Sequence, residues 1–571
     1  MDVRQLAFLA RQPSATLQAR DSFWGLSKRG LAFILANVMF WQPVVAMADG
    51  IVVNGSGTTL GQAGNGVPIV NIATPNGSGL SHNKFSDYNV GQQGVILNNA
   101  TGRTQETQLG GIILGNSNLG GRAANVILNE VNGGSPSQLK GYTEVAGQAA
   151  HVIVANPYGV SCNGCGFINT PKATLTTGKP VIENGQVQRY QVDQGSVAIE
   201  GAGLNASNID QFEIITRSAK INAEIQARHL AVIAGANDVD AKTLNATART
   251  ANPADAPQLA IDSSALGGMY AGAIKLVGTE AGVGVKLDGK LIASGGDIQL
   301  DANGQLRMAD ATAEKGAVAI KAQSLDAQGA VYAGTDLKVQ TQDDLNNHST
   351  LAAANSINLG SGGQLNNHGI IEAGVNLDNS RNPNGDVTLT AQNLNNSGKS
   401  VVASRDLTVT TTQTLNNQGG TLSGQRQVTV SAATLDNSHQ GKLLSAERLQ
   451  LNAEQVRNGQ GGLIKSQQSL NATLGHLGNS GGELSSQGSS TLVLAGMDNL
   501  TGVVLAQQTL EITGTAELDN QGGLLSGWQG LTLKGTGLNN SNKGTVSSLK
   551  GGVDITPVSY THLTLPTKRI V

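Results

Sequence analysis

The chain has 571 residues with a formal net charge of −3, only 13% charged residues and 3% aromatics, against 75 glycines and 39% hydrophobic residues. Compact enzymes usually carry about 25% charged residues, no lysine-rich tract offers a phosphate-binding surface, and so many aliphatic side chains exclude a solvated, disordered linker. Something regular has to bury small aliphatics without aromatic bulk.

Residues 1–48 read as an extended secretory signal peptide. Lys28 and Arg29 precede the apolar run LAFILANVMF, and Ala46-Met47-Ala48 follows, the order of positive flank, short apolar core and small-x-small exit that predicts cleavage between Ala48 and Asp49. The run is too short for a comfortable membrane anchor, and the leader is unusually long, with Arg4, Arg11 and Arg20 upstream. Cleavage removes five basic and two acidic groups, leaving −6 on residues 49–571. No later segment reaches the roughly 20 apolar residues of a membrane helix. The mature chain is therefore expected to be exported, with no transmembrane segment and no nucleic-acid partner.

From residue 49 to about 300 the chain is rich in Gly and Asn but weakly periodic. Strand-like pieces include GVILNN (94–99), GIILG (111–115), NVILNEV (125–131) and HVIVANPYG (151–159). Two turn segments interrupt them, Asn116-Ser117-Asn118-Leu119 and Asn156-Pro157-Tyr158-Gly159-Val160. Just beyond lie Cys162 and Cys165, the only cysteines. A structural zinc site wants four Cys or His ligands, and the nearest histidine, His151, stands within an apolar strand. A thioredoxin-like pair needs a helix start, which this β context lacks. In an oxidising compartment paired thiols close, so a small-loop disulfide is the reading adopted over a reduced pair or a metal or redox site. Gly55 and Gly57 suit turns better than a phosphate loop.

Further along, a repeat emerges. A hydrophobic residue before x-Asn recurs at Leu345, Leu365, Leu394, Leu415, Leu435, Val456, Leu477, Met497, Leu518 and Leu538, at steps of 20 or 21 residues save one of 29. The long step holds DNSRNPNGD (378–386), which reads as an insertion. Runs such as DVTLTA (386–391), DLTVTT (406–411) and QVTVSA (427–432) alternate aliphatic residues with Thr or Ser, the period-two signature of a half-buried strand. Each run ends near the Asn pair, where left-handed turn geometry is expected. Units of about 20 residues cannot make a core alone, but stacking covers each open edge. The predicted fold class is all-β, a right-handed parallel β-helix whose turn asparagines can form amide ladders.

The stretches GLSHNKFSDYNV, GVILNN, GIILGNSNL and ANPYGVSCNGCGFINTPKATLTTG, in this order, resemble the N-terminal secretion domain of two-partner secretion exoproteins, the filamentous-haemagglutinin-like adhesins and contact-dependent growth-inhibition proteins. The resemblance implies a division into signal peptide (1–48), secretion domain capping the solenoid (49–300), haemagglutinin-type repeats (301–550) and an atypical tail (551–571). The family's Asn-Pro-Asn-Leu motif falls on Asn116, Ser117, Asn118 and Leu119, with Ser for Pro. Its Asn-Pro-Asn-Gly-Ile motif falls on Asn156, Pro157, Tyr158, Gly159 and Val160, with Tyr and Val substituted. They are expected either to form tight turns or to touch the partner directly. The implied partners are an outer-membrane β-barrel transporter with periplasmic domains and a receptor on a host or neighbouring cell; the implied location is the outer surface of a Gram-negative bacterium.

An enzyme reading is set aside. Exported β-helices include polysaccharide-cleaving enzymes, but Asp297, Asp301, Asp310, Asp343 and Asp344 match no calcium or catalytic spacing, and no motif for catalysis, metal or cofactor appears. Adhesion and delivery of a C-terminal toxin both remain open. A repeat marker is due near residue 559, where the chain instead reads PVSYTHLTLPTKRIV, so residues 551–571 are expected to be a truncation or foreign sequence.

Overall fold

The computed structural model describes residues 50–250 and 256–561; the expected leader, with Ala48 and Asp49 at its exit, lies outside them. The chain divides between Met47 and Ala48, and the described residues all belong to the second unit.

Alternation becomes architecture in the repeat around residue 415. Its three strands are Asp406–Thr411, Thr414–Asn416 and Thr421–Gly424, and Leu407, Val409, Leu415 and Leu422 all point inward with no exposed surface. Each pairs in parallel with its counterpart one turn later, Leu407 with Val428, Leu415 with Leu435 and Leu422 with Leu443. A register slip would turn every aliphatic outward, so the pattern fixes the pairing. Repeated along the chain, this produces a parallel β-helix built on sheets of 32 and 21 strands. One continuous, mainly aliphatic cluster from Ile51 to Leu538 fills its interior, with Phe85, Tyr88, Phe167 and Phe212 in its N-terminal part.

The marker asparagines behave differently from expectation. The second residue of each pair is buried rather than in a left-handed turn. Asn347, Asn367, Asn396, Asn417, Asn437, Asn458, Asn479, Asn499, Asn520 and Asn540 form a ladder in which each Nδ2 donates to the next Oδ1 at 2.7–2.8 Å. Positive φ falls two or more residues later, at Gly419, Gly481 and Gly522 and also at Gln460 and Thr501. The amide is worth more inside, where it satisfies buried backbone carbonyls, than in a solvated turn. Glycine then follows because nothing larger fits: a Cβ on Gly462 would lie 2.5 Å from the Asn437 carbonyl oxygen.

Antiparallel strands seal the N-terminal end. Ile51–Val53 pairs with Leu80–Tyr88, and Thr59–Gln62 with Pro68–Asn71. Two further pieces stand outside the solenoid. One is the hairpin of Thr104–Thr107 and Gly111–Leu114. The other is a four-stranded antiparallel sheet of Lys179–Glu183, Gln186–Val192, Asn237–Asp240 and Ala246–Ala248. It covers a second core containing Leu128, Ile153, Tyr190, Ile215 and Ile233. Its first turn is Asn184-Gly185, both with positive φ, the strongest short-range hairpin signal a sequence can carry.

The solenoid has no seam at residue 300, since the strand Ile298–Met308 crosses it and pairs on both sides. The 29-residue step is an ordered insertion between Ile370–Ala373 and Val387–Ala391, held by Asn382, whose Nδ2 reaches the Ala354 carbonyl at 2.8 Å. At the far end Val553–Thr561 continues the stack, with Tyr560 opposite Leu538. The next rung is therefore present in the backbone without the marker sequence.

Candidate functional site

Both turn motifs are built alike. Asn116 is buried before the 3-10 turn Ser117–Leu119; its Nδ2 donates to the carbonyls of Ile72 and Asn98, each at 2.9 Å, and its Oδ1 accepts the Asn118 N–H at 2.9 Å. Asn156 is fully buried; its Nδ2 donates to the Ser135 carbonyl at 2.9 Å and Ser137 Oγ at 3.0 Å, and its Oδ1 accepts the Tyr158 N–H at 3.0 Å. In each case one amide folds its own turn and staples it to neighbouring chain. Asn118 adds a bond from its Nδ2 to the Gly57 carbonyl at 3.1 Å, so the Gly55–Gly57 segment belongs to the cap.

The positions that depart from the family motifs are Ser117, Tyr158 and Val160. Ser117 occupies the first position of its 3-10 turn, where proline is favoured because an N–H there lacks a helical partner. Leu119 and Val160 are core residues, Val160 pairing between Ser137 and Val197. Gly159 has φ 123°, and a Cβ there would lie 3.0 Å from the Ser196 carbonyl oxygen. Only Ser117 and Tyr158 of the two motifs present exposed side chains, Tyr158 at 48%.

Tyr158 borders a cleft of about 360 Å³ between the second motif and the four-stranded sheet, lined among others by Glu130, Ala155, Pro157, Lys179 and Pro180. His82 lies 2.6 Å from Glu130 and holds its carboxyl below the usual carboxylate range. The cleft thus offers an aromatic rim, two carboxylates, Glu130 and Asp193, and one cation, Lys179.

Cys162 and Cys165 are joined in a disulfide at the corner between the strands Val160–Cys162 and Cys165–Ile168, both sulfurs facing the core. His151 is not with them. Its strand sends Val152 and Val154 into the solenoid core and Ile153 into the second core, so His151 faces outward beneath the added sheet. There its Nε2 meets Thr174 Oγ1 at 2.9 Å, Thr174 donates to Glu213 at 2.7 Å, and Lys172 Nζ lies 2.6 Å from Glu213. Burial, reinforced by Lys172, pushes the His151 imidazole down to about 3, while burial raises the Glu213 carboxyl against the pull of Lys172. This network carries no sequence signal, because His151, the pair Lys172 and Thr174, and Glu213 lie on three successive strands far apart in the chain.

The aspartates weighed as catalytic candidates are distributed along the stack. Asp297, Asp310 and Asp344 each accept a backbone N–H from the turn 20 residues on, at Ala317, Ala330 and Gln364, over 2.8–2.9 Å. Asp343 accepts from Gln323 at 3.2 Å, and Asp301 faces outward on its strand.

The sequence matches the family described as TPS secretion domain over residues 45–308, and the haemagglutinin repeat over residues 311–381, 384–488, 455–524 and 515–556. It is 47% identical over 346 residues to a 16S rRNA endonuclease CdiA of Enterobacter cloacae subsp. cloacae, covering 60% of this chain and 10% of that protein. It is 48% identical over 319 residues to a tRNA nuclease CdiA of Escherichia coli, covering 56% and 10%. A solved filamentous hemagglutinin secretion domain is similar over 57% of this chain and 95% of its own, at 35% identity and a TM-score of 0.41. The chain spans about a tenth of the length of these curated relatives.

Proposed function

The chain belongs to the two-partner secretion exoproteins, and we propose that residues 49–300 are its export module and residues 301–550 the stalk of a filamentous, haemagglutinin-like surface adhesin of a Gram-negative bacterium. The partner in this reading is an outer-membrane β-barrel transporter whose periplasmic domains engage the capped end, with Tyr158 and the adjoining cleft as the contact surface and Asn116 and Asn156 holding that surface in shape. The observation that supports it most is the unbroken stacking of regular rungs onto a sealed N-terminal end. A chain that emerges unfolded can add one rung at a time to such a template. Typical stability of about 0.1 kcal/mol per residue gives about 2 kcal/mol per rung, several times thermal energy and enough to bias passage outward without ATP. The disulfide closes a loop of only three residues' separation, so it does not oblige the chain to fold before passage.

A second reading is favoured by the relatives' names. Those CdiA proteins are named as nucleases, and in this reading the stalk carries an effector toward a neighbouring cell. The described residues then serve delivery, and any nuclease lies in another part of the protein. The test common to both is export with a cognate transporter: deletion of residues 49–300 should leave the chain inside the cell, and normal secretion of that deletion would overturn the assignment.

A further inference from the structure

The four-stranded sheet lies along the rod, and its two edges differ. The edge toward the N-terminal cap, Lys179–Glu183, begins with Lys179 and Pro180 and carries a bulge between Val181 and Ile182, three devices that block further strand pairing. The edge toward the repeats, Ala246–Ala248, is Ala-Thr-Ala with an unbroken register. Its bonding follows from the bonds that flank it: Asp240 N–H donates to the Asn245 carbonyl and Arg249 N–H to the Ala236 carbonyl. Bonded pairs alternate along an antiparallel ladder, so Thr247 exchanges its bonds with Asp238. The N–H and C=O of Ala246 and of Ala248 therefore point away from the sheet, and among the described residues no strand pairs with them.

This open edge overhangs a groove. Ala246 and Ala248 form one wall and the solenoid strands Ala273–Gly278 and Ile298–Met308 the floor, with Val277, Gln299 and Asp301 lining a hollow of about 390 Å³. A second hollow of about 340 Å³ continues it past Leu244 to Lys242 and Lys275. From Lys242 to Ala248 the wall spans about 20 Å of chain. Asp297 at the lysine end already accepts the Ala317 N–H, so the two ammonium groups set the charge there. We propose that the groove takes one extended, acidic segment of another polypeptide, which adds a fifth strand antiparallel to Ala246–Ala248. Such pairing satisfies the four backbone groups the edge leaves open; main-chain bonds then supply affinity and alternate side chains specificity. Residues opposite Ala246 and Ala248 turn toward the floor, where small or β-branched side chains suit Val277. A carboxylate further along the strand reaches Lys242 and Lys275 in charge-assisted bonds. The occupant is a single strand and not a second folded copy, because the solenoid continues beneath the open edge and fills the space a copy's own solenoid needs. The groove lies at the opposite edge of the sheet from the Tyr158 cleft and is separate from the transporter contact.

Fluorescence anisotropy of a fluorescein-labelled heptapeptide, TTVTETE, titrated with the purified chain should show saturable binding. K242E/K275E should weaken it at least ~10-fold. A248P removes an outward N–H and no bond within the sheet, a substitution an edge strand tolerates, and should weaken binding as well. Circular dichroism and melting should stay unchanged in both variants. N-methylation of the peptide tests the pairing without altering the protein: methyl groups on one alternating set of its amides should abolish binding, and on the other set leave it intact. Absence of saturation, equal effects of the two methylated sets, or indifference to K242E/K275E would overturn the proposal. Displacement by dextran sulfate as readily as by unlabelled peptide would overturn it in favour of an acidic glycan, and a dimer that the peptide dissociates would overturn it in favour of a second copy.

Discussion

A single buried carboxamide performs two tasks at each corner of the export module. Replacing Asn156 by Ala removes the donor to Ser135 and Ser137 and the acceptor for Tyr158 N–H, leaving buried backbone groups unpaired at a cost of about 2–4 kcal/mol. Urea unfolding of N156A should register that loss, whereas Y158A, on an exposed side chain, should stay within about 0.5 kcal/mol of the parent and lower export alone. Equal destabilisation by the two would remove Tyr158 from the contact surface. His151 supplies a pH-dependent prediction. Its folded pKa of about 3 lies below the ordinary 6.5, so between those values the unfolded state binds the extra proton and stability falls as pH drops from 6.5 toward 3. The slope should be below the ~1.4 kcal/mol per pH unit of one fully coupled proton, because His151 is only half-buried. Raised Glu213 opposes this at its own end: the folded state holds its proton above pH 4.5, so its contribution declines as pH rises through the raised value. H151Q should flatten the acid limb of the stability profile, and an unchanged limb would show that other groups set it.

At the scale of the rung, the inward residue and the ladder asparagine are the sensitive positions. Leu415 has no exposed surface and stacks on Leu394 and Leu435; L415D buries an unpaired carboxylate, which should cost more than about 3 kcal/mol and open the neighbouring rungs to protease. Unchanged resistance would contradict its core position. G462A should also destabilise, since its Cβ would meet the Asn437 and Asn458 carbonyl oxygens at 2.5 and 2.6 Å, while the outward-facing Thr429 tolerates Ser. These positions were legible in the residues alone: a marker Leu every 20 or 21 residues sets the turn, and alternation sets the face. The amide ladder followed from the same marker, but not the site of the left-handed turn, because position in a turn depends on which carbonyls need a donor. The four-stranded cover escaped the sequence reading although Asn184-Gly185 announced its hairpin, since its strands pack on an outer face that alternation alone assigns to solvent. Tyr158 was legible as a motif residue, but the cleft beside it depends on that cover and was invisible with it.

Over the whole described unit, the secretion domain and the repeats are one stack, with the capped end as template and the later rungs as copies of one another. Stability in such an array is approximately a sum of rung and nearest-neighbour terms, so loss of the template should impair the downstream rungs more than loss of any single later one. Excising the turn 427–447, one repeat between equivalent residues Gln427 and Arg448, should preserve the fold and shorten the rod, whereas removal of residues 51–71 should expose the first core rung and promote aggregation. The most direct measurement is small-angle X-ray scattering from the exported chain. About twenty rungs, one per strand of the 21-stranded sheet, at about 4.8 Å each give a rod of about 95 Å, shortened by about 5 Å on excision of one repeat. A compact, globular distance distribution, or a length indifferent to that excision, would contradict the stacked solenoid on which export and presentation both rest.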